Sequence, residues 1–216
     1  MMRESFNSQL ETLHAELILM GALCEDAIAS AVKGLIDEDE ELQKKVGQLE
    51  IDIDQKEREI EDFCLRLLIR EQPVASDLRQ INAAQKLISD MERIGDQALD
   101  IAEISAFMMG SHIKRDVHIS DMARATVIML QRSVDSFVAA DVNEAKEVIA
   151  YDDVVDELFV KIKSELVNEI AKCPASGGAC LDLLMIAKYL ERIGDHAVNI
   201  AEQVIYTVTG ERVISE

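Results

Sequence analysis

The residues best suited to chemistry are carboxylates at helical spacing. Residues 92–103 read ERIGDQALDIAE and residues 191–202 read ERIGDHAVNIAE, identical at nine of twelve positions. The first copy sets Glu92, Asp96, Asp100 and Glu103 at i, i+4, i+8 and i+11, one stripe of a helix. The second copy gives Glu191, Asp195, Asn199 and Glu202. Another acidic pair precedes each copy: Glu50 and Asp54 before the first, Asp152 and Asp156 before the second. Like charges at i, i+4 weaken a helix by roughly 0.2–0.5 kcal/mol per pair, so something should offset them. Clustered carboxylate oxygens suit hard or borderline cations, and metal binding is the expected chemistry. Ordinary ion pairing is the alternative, because Arg93 and Arg192 stand three residues before Asp96 and Asp195. Gly95 and Gly194 fall inside the same motif. A mid-helix glycine costs about 1 kcal/mol relative to alanine, so the missing Cβ should serve close helix approach or a bound ion.

Other candidates are weaker. Glu11-x-x-His14 is half of a di-iron bundle signature, but no second Glu-x-x-His exists and Asp116 stands where a second histidine would. His196 follows Asp195, while its counterpart is Gln97; a hydrogen-bonded or exposed histidine is expected there. The chain has no Walker A loop, dinucleotide fingerprint, HExxH or GxSxG. No nucleophile with a partnered base is visible, so an enzyme is not expected.

The elements that must position these carboxylates are helices, arranged as a tandem duplication. Asp39 pairs with Asp141 and Pro73 with Pro174 across the repeat. In the first unit, Leu10, Leu13, Leu17, Met20, Cys24, Ala27 and Ala31 alternate spacings of three and four, an apolar seam. The acidic run 37–41 should turn the chain. A second helix carries Leu42, Val46, Leu49, Ile53, Ile60, Cys64 and Leu67, and Pro73 should end it. A third runs from about Ser76 to Met109, with Ala84, Ile88, Met91, Ala98, Ile101 and Met108 inward. Residues 110–116 link the halves. The second unit repeats the plan near 117–139, 143–172 and 181–207, with Pro174 and the ASGG run separating its last two helices. The expected fold is all-α: two elongated three-helix bundles, residues 1–110 and 111–216, joined end to end or side by side. Helices two and three of each unit are antiparallel neighbours, so the acidic pairs can meet along one groove.

Composition narrows the partners. The formal net charge is −20, and no basic cluster exceeds Lys44-Lys45 or Lys114-Arg115. Nucleic acid and anionic lipid both need clustered cations, and neither is an expected partner. An acidic surface suits cations or a basic patch on another protein, or serves solubility alone. The four cysteines have no CxxC spacing; Cys24 and Cys64 sit in apolar patterns, and Cys173 and Cys180 flank a loop. The start of the chain lacks a signal-like apolar run, and the stretch 17–36 is broken by Glu25, Asp26 and Lys33. A cytoplasmic protein with reduced thiols is expected.

With these residues in hand, the chain resembles the PhoU family of phosphate-signalling regulators. The resemblance rests on the doubled ERIGDxAxxIAE segments, the (E/D)xxxD pairs at 50/54, 92/96, 152/156 and 191/195, the opening Phe6…Leu10…Leu13…Met20-Gly21 pattern, and Pro73…Asp77-Leu78-Arg79. It spans nearly the whole chain. It implies two symmetric three-helix bundles, frequent homodimerisation, and multinuclear metal clusters, of iron or zinc in some members. It implies negative regulation of phosphate uptake and the phosphate-starvation response through contacts with the phosphate ABC transporter, chiefly its ATPase subunit, and with the sensor histidine kinase. By that resemblance Glu50, Asp54, Glu92, Asp96 and Asp100 would line one cluster site. Asp152, Asp156, Glu191 and Asp195 would line the other, with Asn199 as a neutral, weaker ligand in place of Asp100. Glu103 and Glu202 are weaker candidates. The acidic stripes alone also fit a carboxylate-bridged metalloenzyme or an ion buffer, and a family paralogue serving another transporter is a further alternative.

Overall fold

The computed structural model describes residues 2–71, 73, 75–108 and 117–211. The expected linker 110–116 and the end of the third helix at Met109 lie outside the described residues. The six expected helices are present: α1 (Met2–Asp37), α2 (Glu40–Glu71), α3 (Ala75–Phe107), α4 (Ile119–Ala139), α5 (Val142–Lys172) and α6 (Gly177–Thr209). No strand occurs among the described residues.

The two tight helix–helix turns are built alike. Glu38 and Ala140 adopt left-handed conformations, φ 59° and 52°. The residue after each is an aspartate that starts the next helix. Asp39 Oδ1 accepts from the backbone N–H groups of Glu41 and Leu42 at 2.9 and 3.2 Å. Asp141 Oδ1 accepts from Asn143 and Glu144 at 2.9 and 3.1 Å. Each satisfies donors that the first helical turn leaves unpaired. The Cys173–Gly177 connection differs from expectation. Residues Pro174–Ser176 form one 3-10 turn, with proline at its first position, and α6 begins directly at Gly177 rather than near Leu181. Cys180 is therefore a buried helical residue, while Cys173 is exposed.

The apolar seams face inward. Leu13, Leu17, Met20, Cys24, Ala27 and Ala31 of α1 are buried, as are Val46, Leu49, Ile53, Ile60, Cys64 and Leu67 of α2. Ala84, Ile88, Met91, Ala98 and Ile101 of α3 are buried too, as is Met108 just beyond it. Each Leu, Ile, Val or Met among them contributes about 1.5–3 kcal/mol of burial. The two bundles lie side by side. Helices α1 and α3 pack on α4 and α6, while α2 and α5 flank this layer on opposite sides. One hydrophobic core runs through both units. Helices α3 and α6 cross antiparallel, since Lys86 meets Gln203, Asp90 meets Asn199, and Asp100 meets Tyr189. Among the described residues, no helix is long and apolar enough to cross a membrane.

Candidate metal-binding grooves

The outer groove of each unit lies between its second and third helices, and the signature glycine sets their approach. A Cβ on Gly95 would fall 3.1 Å from Ile53 Cδ1 and 3.2 Å from its Cγ2. A Cβ on Gly194 would fall 3.1 Å from Asp152 Oδ1. The glycine in the first unit admits a packing side chain, and the glycine in the second admits a carboxylate of the acidic set.

In the first groove α2 brings Glu50 and Asp54 opposite Glu92 and Asp96 of α3. Partial burial raises the Glu50 carboxyl above its ordinary value, and the charges of Asp54 and Asp96 push it further. Glu92 rises for the same reasons, burial first and then Asp96, with smaller pushes from Glu57 and Asp54. Glu57 is itself raised by burial, against a hydrogen bond from the Ser89 hydroxyl at 3.3 Å. Glu57 was not among the expected residues, although Glu50, Asp54, Glu57 and Glu61 form a visible 4-3-4 stripe. The groove's own cations partly compensate. Arg58 pairs with Asp54 at 3.2 Å, and Arg93 reaches Asp96 at 3.2 Å and Glu92 at 3.4 Å.

In the second groove Asp152 and Asp156 of α5 face Glu191 and Asp195 of α6. Burial is the main cause that pushes Asp152 up to about 6, followed by the charges of Asp156, Asp195 and Glu191. Asp195 is raised by burial and then by Glu191, against the pull of Lys188. The pairing cation here is Lys188, which binds Glu191, rather than the expected Arg192. The Lys188 ammonium also lies 5.7 Å from the centre of the Phe159 ring.

Asp100 and Asn199 belong to neither groove. Asp100 lies beside the Tyr189 hydroxyl, which its charge and hydrogen bond raise after burial. Asn199 donates to Asp90 Oδ1 at 3.3 Å, and His196 Nδ1 donates to the same oxygen at 2.8 Å. Both expected ligands therefore serve the seam between α3 and α6. His196 is the hydrogen-bonded histidine the sequence suggests, and His14 packs its ring edge-on to Phe137. Cys24 and Cys64 are core thiols, each pushed up by burial.

The donor set of each groove, four facing carboxylates of which burial and neighbouring charge raise Glu50 and Glu92 in the first and Asp152 and Asp195 in the second, fits a hard or borderline cation. Among the described residues no three His, Cys, Asp or Glu side chains already converge on one point. Arg58, Arg93 and Lys188 are drawn onto the carboxylates instead. The Arg93 side chain is 63% exposed, so it can leave Asp96 at little cost.

A PhoU domain profile matches residues 17–105 and 119–204, one match per unit. The chain is 36% identical, over 99% of its length and 98% of the relative's, to the phosphate-specific transport system accessory protein PhoU homolog of Clostridium acetobutylicum. Its fold matches the crystal structure of PhoU from Pseudomonas aeruginosa with a TM-score of 0.87 and 37% identity, over 95% of this chain and all of that one. It matches the phosphate transport system regulatory protein PhoU from Streptococcus pneumoniae with a TM-score of 0.89 and 26% identity, over 97% of this chain and all of that one.

Proposed function

We propose, from the premise that this chain belongs to the PhoU domain family, that it is an accessory protein of phosphate transport and a negative regulator of phosphate uptake and starvation signalling. It works by binding rather than by turnover. The observation that carries this reading is near-full-length similarity to an accessory protein of a phosphate-specific transport system. Long helical faces and a net charge of −20 suit docking on a basic surface of a partner. The partners on this reading are the ATPase subunit of the phosphate transporter and the sensor histidine kinase, met in the cytoplasm, with the protein acting as a homodimer.

The test is binding of the purified protein to the transporter's ATPase subunit in low and high phosphate. Phosphate-dependent binding is the expected result. Absence of binding in both conditions, with unchanged phosphatase expression in a deletion strain at high phosphate, overturns the reading in favour of a paralogue serving another transporter.

Metal ions, iron or zinc, belong to the same proposal as structural or signalling ligands. Glu50, Asp54, Glu92 and Asp96, with Glu57 beside them, would hold ions in the first groove. Asp152, Asp156, Glu191 and Asp195 would hold them in the second. The bound cation would supply the positive charge that these carboxylates lack, and Arg93 and Lys188 would swing out to admit it. Elemental analysis of the purified protein should find stoichiometric metal that falls by about half in the D96A/E92A double variant, given two independent grooves. Metal-free protein with intact transporter binding would remove this part of the proposal and leave the regulatory part standing.

A further inference from the structure

His118 stands at the start of α4 in a setting that its local sequence does not explain. It occupies the N-cap position, where serine, threonine, asparagine or aspartate would bond the first turn, yet its side chain makes no capping bond. Two residues of α5, one turn apart, hold it instead. Glu165 Oε1 lies 2.7 Å from Nδ1, and Oε2 accepts from the His118 backbone N–H at 3.4 Å. Nδ1 is cut off from water, and its contact with Glu165 is short but falls outside hydrogen-bond geometry, so the carboxylate orients the ring by facing its Nδ1 edge. On the other side, Lys161 Nζ lies 2.9 Å from Nε2. An ammonium can only donate, so Nε2 is the bare acceptor nitrogen and Nδ1 carries the proton. The His118 side chain is 35% exposed. The first unit has no such arrangement: at an offset of 102 residues it places Glu16, Glu59 and Phe63, with Lys56 bridging the two glutamates.

A half-buried carboxylate at Nδ1, an acceptor Nε2 on a partly exposed ring and a lysine beside it suit phosphoryl transfer to histidine. We propose that His118 is a phosphoryl-acceptor site, taking the group on Nε2 from a phosphoramidate-class donor, of which phosphohistidine on another protein is one form. The Nε2 lone pair attacks phosphorus while the P–N bond of the donor breaks. The bonding pair leaves with the donor nitrogen: protonated phosphoramidate releases neutral ammonia, and a phosphohistidine protonated on its other ring nitrogen releases neutral imidazole. The positive charge that appears on the ring falls beside the Glu165 carboxylate, which steadies it as the orienting carboxylate of a catalytic triad does. Lys161, on an exposed stem, turns from Nε2 to the incoming phosphoryl oxygens. The N-terminus of α4 adds a favourable field for the new dianion.

The experiment treats the full-length protein with phosphoramidate and follows acid-labile phosphate by phosphorus NMR and peptide mapping. Labelling at His118 is expected to outpace His14, His112 and His196, and H118Q should reduce it to background. E165Q and K161Q should each slow it by about tenfold, with K161R restoring much of the rate. Thermal melts of each variant identify any that fail to fold, and H118N, which supplies a side chain able to cap α4, then serves as the second test. Equal labelling of all four histidines overturns the proposal, as does a rate unchanged by E165Q and K161Q.

Discussion

Alanine placed at the two signature glycines should have opposite effects on stability. In an ordinary helix either change would gain about 1 kcal/mol. At Gly95 the new methyl would meet Ile53 at 3.1 and 3.2 Å. Ile53 is fully buried and its branched side chain is stiff at χ1. Overpacking of this kind costs about 1–3 kcal/mol, which exceeds the gain. G95A should be less stable by about 1 kcal/mol, or about 2–4 °C in Tm for a chain of this size. At Gly194 the closest atom is the tip of Asp152, a carboxylate that can rotate away, and Val155 Cγ1 at 3.5 Å is in ordinary contact. G194A should be neutral or more stable by up to about 1 kcal/mol. Urea melts of both variants test this, together with G95A in an I53A background, where removal of the clash should turn its effect favourable. Equal stabilisation by G95A and G194A would refute the packing argument.

Asp152 binds its proton more tightly folded than unfolded, so its contribution to stability is present below its ordinary value and lost as pH rises through about 6. D152N should therefore exceed the wild type by about 1 kcal/mol at pH 7.5, allowing for solvent screening. The gap should close near pH 4; an equal gap in urea melts at both pH values would contradict the assignment. D90A leaves His196 and Asn199 without their acceptor and should cost about 1–2 kcal/mol, read as a lower Tm and faster amide exchange in α6. D141A removes the aspartate that starts α5 and should cost about 1 kcal/mol, with D141S recovering most of it in the same melt.

Much of this architecture is legible in the sequence because two signals agree. The 3.6-residue period identifies the seams, and the internal duplication shows that each acidic pair recurs with its partner. Asp100 and Asn199 lie off the outer grooves for a geometric reason. Four residues turn a helix by about 400°, so an i+4 stripe drifts about 40° per step. By its third member it has moved from the outer groove to the seam between α3 and α6. Glu57 stands on the α2 stripe, but its counterpart is Phe159, so the internal repeat does not single it out. The pair Gly177-Gly178 reads as loop, but Gly177 takes right-handed helical angles, φ −53° and ψ −41°, after the 3-10 turn. The His118 arrangement unites residues 43 and 47 positions apart, and no local pattern announces it.

The antiparallel crossing of α3 and α6 makes the molecule an internal dimer. In an assembly of two identical half-length chains, any substitution at such a seam would appear on both sides at once. Covalent fusion lifts that constraint. The crossing can then hold His196 and Asn199 on Asp90 at one end and Tyr189 on Asp100 at the other. The outer grooves have likewise diverged, with Ser89 and Glu57 in one unit and Lys188 and Phe159 in the other. Tandem fusion thus lets one shape present two chemically different ends, so a single chain can offer unlike faces to unlike partners without evolving a second fold.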